Sequence, residues 1–242
     1  MGFWSELQKT IVVLAPMADV TDAPFREVIS KYGKPDVLWT EFVSCDGLFR
    51  GGYDSLIHDL KFTEDEHPIV AQFFTSKPEY MEKAARLALD MGFDGVDINM
   101  GCPDRSIEKQ GCGCAMIKNP KNARAIIRAA MKGAQHGDKR IPVTVKTRLG
   151  YNKDELETWL PELLAENPAV VTIHARTRKE MSKVPANWGR IKRAVEIRDN
   201  LKSETLIFGN GDINTPEQAF DISKETNADG VMIGRGIFGK PW

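Results

Sequence analysis

The chain has 242 residues, 42% hydrophobic and 28% charged, enough apolar material for one large globular domain. Its formal net charge of -1 excludes a bulk basic field, so any nucleic acid must be met by a local patch. No basic segment followed by a long apolar core opens the sequence, and the apolar run 11–18 is far too short for a bilayer, so a membrane protein is excluded and a cytoplasmic location expected.

In chain order, short β-branched runs alternate with amphipathic stretches. A strand is expected over 11–15 and a helix over 23–31, then a strand over 37–42 and a Gly-rich stretch, 45–63, with weak helical character. Strands at 69–74, 95–99, 142–147, 169–174 and 205–209 are each followed by a helix, at 78–90, 122–134, 154–165, 188–199 and 216–225. Thr215-Pro216-Glu217 and Ser76-Lys77-Pro78-Glu79 carry start signals: a hydroxyl cap, a proline in the first turn and an acidic residue behind it. An eighth strand at 230–233 is followed by Trp242, with no room for an eighth helix.

Repeating strand–helix units with mostly apolar strands predict a parallel sheet covered by helices. Eight of them predict an α/β fold of the (β/α)8 TIM-barrel type, truncated after the eighth strand, forming one catalytic domain over 1–242. A doubly wound sheet is the alternative, but no Gly-x-Gly-x-x-Gly follows the first strand. The uncovered apolar flank left by the missing helix suggests a fragment of a longer chain.

Side chains two apart share a strand face. Asp97 with Asn99, Lys146 with Arg148, His174 with Arg176, and Asn210 with Asp212 therefore stand in pairs at four successive strand ends, and a barrel would converge them on one mouth. Asn210-Gly211-Asp212 and Gly234-Arg235-Gly236 follow the seventh and eighth strands, where loops often cradle phosphate. Lys146 admits two meanings: a Schiff-base lysine, or a cation that stabilises an electron-rich cofactor ring. Gln72 is a polar residue inside an apolar strand and needs a partner, which a cofactor ring edge would supply.

Of the four cysteines, Cys102 lies between Gly101 and Pro103 at a strand edge and is the candidate general acid. Cys45, Cys112 and Cys114 read as structural, no Cys/His cluster has metal spacing, and His58, His67 and His136 read as surface residues.

Together Ala15-Pro16-Met17-Ala18, the Gln72 strand, Asp97-Ile98-Asn99-Met100-Gly101-Cys102-Pro103, Lys146-Thr147-Arg148, His174-Ala175-Arg176-Thr177, Asn210-Gly211-Asp212 and Gly234-Arg235-Gly236 resemble the flavin-dependent tRNA-dihydrouridine synthases. The stretch 181–188 departs from the family pattern, and the C-terminal helical tRNA-binding domain of the family is absent from the sequence. The resemblance implies an FMN-binding barrel that reduces the C5–C6 double bond of uridines in tRNA, with NADPH as reductant. It implies that Pro16, Met17 and Ala18 line the flavin, that Gln72 bonds its edge, and that Lys146 and His174 face its N1/O2 side. Asn210, Asp212, Gly234 and Arg235 would hold ribityl and phosphate. Asn99, Arg148 and Arg176 would address the substrate, and Cys102 would be the acid.

Three alternatives remain at this level: an FMN barrel acting on a free pyrimidine such as dihydroorotate, a Schiff-base lyase using Lys146, and a non-catalytic RNA-binding remnant.

Overall fold

The computed structural model of the protein describes residues 2–239, so the expected chain end at Trp242 lies outside the described residues. Eight strands form the core: β1 Ile11–Leu14, β2 Leu38–Ser44, β3 Ile69–Phe74, β4 Gly95–Asn99, β5 Val143–Arg148, β6 Val170–His174, β7 Leu206–Asn210 and β8 Gly230–Ile233. Their lateral order is β1-β8-β7-β6-β5-β4-β3-β2, with every neighbouring pair parallel. A single parallel bridge, Val13 to Val37, closes the remaining gap between β1 and β2. Leu14 N–H donates to the Val37 carbonyl at 3.1 Å and Asp36 N–H to the Val12 carbonyl at 2.8 Å. The expected (β/α)8 barrel is what the chain forms.

The helices are α1 Ala23–Tyr32, α2 Cys45–Phe49, α3 Tyr53–Leu56, α4 Pro78–Met91, α5 Arg105–Glu108, α6 Pro120–Gly133, α7 Leu156–Leu164, α8 Trp188–Asn200 and α9 Pro216–Thr226. The Gly-rich stretch after β2 thus becomes two short helices. α6 starts two residues earlier than its apolar pattern suggests, because Pro120 takes the first turn and the Asn119 side chain caps Asn122 N–H at 3.2 Å. Thr215 caps α9 as expected, accepting from Gln218 N–H at 3.3 Å. Ser76 does not cap α4; its hydroxyl donates to the Gln110 carbonyl at 2.7 Å and ties the β3 loop to the β4 loop.

Every residue of β3 and β4 is buried, as strands covered on both faces require. The outer layer joins strands to helices through Ile69, Ala71, Phe73, Val96, Ile98, Val145, Ile173 and Ile207. α4 and α6 approach closely at Gly133, where a Cβ would fall 2.1 Å from the Glu82 carbonyl oxygen. Inside the barrel, Val13, Trp39, Val70, Val170, Phe208 and Met232 make an apolar floor, and Trp4 of the N-terminal turn Gly2–Glu6 plugs it from below. The Trp4 ring lies 5.9 Å from Trp39 and meets Phe208 edge-on at 5.7 Å. No helix among the described residues is long and apolar enough to cross a membrane.

Candidate active site

Strand register sets the polar residues in tiers above the apolar floor. Gln72, Asp97 and Thr144 are lateral neighbours on β3, β4 and β5. One pleat higher, Asn99, Lys146 and Thr172 form the next tier, and Arg148, His174 and Asn210 the one above. All of these point inward because the intervening residues, such as Val145, Thr147 and Ile173, face the helices.

The C-terminal mouth holds a cavity of about 560 Å³. Pro16, Met17, Lys146, His174, Arg176, Asn210, Asp212, Gly234 and Arg235 line it, as the strand-end positions predict. Ala18 is exposed on the same loop, and Gln72, Asn99, Arg148 and Cys102 lie outside this lining. Another cavity of similar size, about 610 Å³, opens at the N-terminal ends of the strands around Pro142, Ala169 and Thr205. It contains none of the predicted residues, and barrel chemistry resides at the other end.

Lys146 Nζ donates to Asn210 Oδ1 at 3.2 Å, and Asn210 Nδ2 donates in turn to the Met232 carbonyl at 2.8 Å. Burial, followed by the Arg148 charge, lowers the Lys146 pKa to about 8, although Asp97 pulls the other way. His174 is held neutral by burial and by Arg148, Lys146 and Arg176 around it. Arg176 Nη1 lies 3.1 Å from His174 Nε2. A guanidinium has no acceptor, so Nε2 accepts and Nδ1 carries the proton.

Arg176 does more than face the cavity. Its Nε donates to the Val184 carbonyl at 2.6 Å and its Nη2 pairs with Asp212, whose carboxylate also accepts from Ala186 N–H at 2.8 Å. The arginine's hydrogen bond is the main cause that keeps the Asp212 carboxyl below its ordinary range. This clamp folds the stretch 181–188 over the mouth, and its Ser182 lines the cavity, as do Ile213 and Asn214. Sequence reasoning missed these three because single loop residues carry no periodic signal.

The β7 and β8 loops meet tightly at Gly236, where a Cβ would sit 2.2 Å from the Ile213 carbonyl oxygen. Gly211 has φ of 129°, and a Cβ there would press on Ala186 at 2.9 Å and on the His174 ring at 3.3 Å. Both glycines let backbone approach the cavity where side chains would block it.

Cys102 sits on the β4 loop beside this mouth, half-buried against Phe74, Ile107 and Cys112 with Phe42 nearby. Burial raises its pKa, while the Arg148 and Lys146 charges act against the rise. Arg148 Nε donates to the Gly101 carbonyl at 2.8 Å, and its Nη1 reaches the Thr177 and Met181 carbonyls at 3.4 and 3.3 Å. Cys114 and Cys112 are buried, with thiols pushed up to about 12 and about 11, and Cys45 is raised by burial as well.

Gln72 already has protein partners: Nε2 donates to Asp97 at 2.5 Å and Oε1 accepts from Asn99 Nδ2 at 2.9 Å, which leaves one N–H of the amide over. One expectation is corrected. His67 is half-buried rather than a free surface group, and its Nδ1 lies 2.6 Å from Asp94 Oδ2.

The sequence profile of the family described as Dihydrouridine synthase (Dus) matches residues 13–242. The probable tRNA-dihydrouridine synthase 2 of Bacillus subtilis (strain 168) is 44% identical over 243 residues, which span 100% of this chain and 73% of that protein. The probable tRNA-dihydrouridine synthase of Staphylococcus aureus (strain Mu50 / ATCC 700699) is 43% identical over 243 residues, covering 100% and 72%. Among solved structures, a variant of NCR from Zymomonas mobilis shares the fold, with a TM-score of 0.60 and 17% identity over 96% of this chain and 83% of that one. A barrel with this polar mouth, matched from its first strand onward at this identity, belongs to the dihydrouridine synthase family.

Proposed function

We propose that the chain reduces the C5–C6 double bond of uridine in tRNA to dihydrouridine, with FMN in the mouth cavity and NADPH as reductant. The carrying observation is the juxtaposition at one strand-end mouth of a buried lysine, a neutral histidine and two glycine-lined loops, with a half-buried thiol on the adjoining β4 loop.

The residues fit a flavin. Lys146 uses one N–H on Asn210, which leaves two donors for an acceptor-rich ring edge in the cavity that it lines. Neutral His174 offers its Nδ1 proton without adding a second full charge. Backbone at Gly211 and Gly234, with the exposed Arg235 guanidinium, supplies the chemistry a phosphate needs. When bound, the flavin supplies a hydride for C6 of the uracil ring.

The chain's own groups do the rest. Cys102 holds a proton because burial keeps its thiol neutral, and it is the donor for C5. Arg148, which braces the Cys102 loop through Nε and Nη1, carries further N–H donors with which to address a uracil carbonyl. Asn99 retains one N–H for the same purpose. The base must leave its stack to reach the mouth, at a cost of a few kcal/mol that an open loop of RNA lowers.

The test is to load the protein with FMN, add NADPH and tRNA lacking the modification, and measure dihydrouridine. Product in tRNA, with free uracil and orotate untouched, supports the reading. Turnover of the free pyrimidine instead supports the small-molecule alternative, and borohydride trapping of a substrate on Lys146 in flavin-free protein supports the lyase.

A further inference from the structure

A continuous line of side-chain hydrogen bonds crosses the barrel beneath the mouth. Thr144 Oγ1 donates to one oxygen of Asp97. Gln72 Nε2 donates to the other at 2.5 Å. Asn99 Nδ2 donates to Gln72 Oε1 at 2.9 Å, and Asn99 Oδ1 accepts from the backbone N–H groups of Gly101 at 3.1 Å and Cys102 at 2.9 Å. Asp97 and Gln72 are 1% and 0% exposed, so no water competes for these bonds.

Each carboxamide in this line has two ends that differ in sign and could be turned over. An ionised carboxylate cannot: it only accepts. Once Asp97 accepts from Gln72, the Gln72 oxygen must face Asn99. Asn99 must then answer with its nitrogen, and its oxygen is left for the two loop amides. Reversing either amide would set oxygen against oxygen in a dry interior, at the cost of an unsatisfied buried group. Burial raises the Asp97 carboxyl to about 6 against the hydrogen bonds of Thr144 and Gln72, the Lys146 charge and the nearby Trp39 indole, so the acceptor-only form prevails at neutral pH.

We propose that Asp97 is a positioning residue for the reduction: it fixes the direction of the Gln72 and Asn99 amides and through them anchors the loop that carries Cys102. The inference rests on the reading of Cys102 as proton donor. It also accounts for the strand pattern, in which Gln72 and Asp97 are lateral partners and Asn99 stands one pleat above.

A pair of substitutions that reverses the line tests this. Asn99→Asp alone leaves Gln72 between two acceptors, so the new carboxylate swings away and releases the loop amides. Asp97→Asn added to it lets Gln72 turn over, donating to position 99 and accepting from position 97, and the net charge returns to that of the wild type. The readout is hydrogen exchange of the Gly101 and Cys102 amides in flavin-free protein, with the melting temperature alongside. Exchange at least about tenfold faster in Asn99→Asp, returning to within about threefold of wild type in the double variant, is the expected result. A double variant that exchanges as fast as Asn99→Asp, or does not fold, overturns the proposal. Neither readout needs flavin or tRNA. A wild type that fails to bind FMN would therefore count against the functional reading alone.

Discussion

Arg148 donates through Nε to the carbonyl oxygen of Gly101, 2.8 Å away, and so fastens the end of β5 to the residue directly before Cys102. The same guanidinium reaches Thr177 and Met181 on the next loop, an arrangement that a lysine cannot copy because it lacks the planar fork. Arg148→Lys is expected to bind FMN as the wild type does and to lose turnover by about 10- to 100-fold, the range in which small misplacements of a reacting group fall. Flavin fluorescence titration and kcat measured on one preparation separate the two effects.

Cys102→Ala should leave flavin affinity unchanged, because the thiol lies outside the cavity lining and the β7 and β8 loops do not touch it. Turnover should fall by about 10²- to 10⁴-fold, the usual contribution of a positioned acid. Wild-type rates from this variant would remove Cys102 from the mechanism.

Lys146 should set the alkaline limit of activity. Its pKa of about 8 lies below the raised thiol of Cys102, so the cation is lost first as pH rises. Turnover should decline above about pH 8 in the wild type, and Lys146→Arg should move that limb upward wherever residual activity permits measurement.

The same residue opposes stability. Its folded pKa lies below the ordinary 10.5, so between about pH 8 and 10.5 the unfolded chain binds the extra proton. Stability contributed by this group therefore rises with pH across that window, and the buried cation costs about 3 kcal/mol at neutral pH. Lys146→Met should melt several degrees higher than wild type at pH 7, with the gain shrinking by pH 10, while activity is lost. Thermal melts at the two pH values check the sign.

Trp4→Ala removes the plug beneath the barrel floor, where the ring is 2% exposed and stacks among Trp39 and Phe208. A loss of about 3–5 kcal/mol is expected from the cavity it leaves. A urea titration measures it, and FMN binding at the far end of the barrel should persist at low denaturant.

Much of the fold was legible because parallel strands buried on both faces read as apolar runs, and each of the eight runs became a strand within two residues of its expected ends. The tiers of the mouth were legible too, since alternation along a strand places Lys146 with Arg148 and His174 with Arg176 without knowledge of the rest. What stayed hidden depends on contacts between segments far apart in sequence. The partners of Gln72 lie 25 and 27 residues away, and nothing local announces them. Trp4 carries no signal of its place inside the barrel because its helical turn is five residues long. Ser182 reaches the cavity on a loop that Arg176 clamps with Asp212 and that Arg148 holds at Met181.

Seven of the eight strand interfaces carry three or more registered pairs, and the eighth, between β1 and β2, carries one. Side chains complete the closure that backbone pairing leaves thin: at that seam Val12 N–H donates to the Asp36 carboxylate at 2.7 Å and Asp19 N–H donates to the Glu41 carboxylate. The ring is therefore joined there by loop carboxylates rather than by a ladder, so a substitution at Asp36 or Glu41 would bear on barrel closure as no other surface carboxylate would.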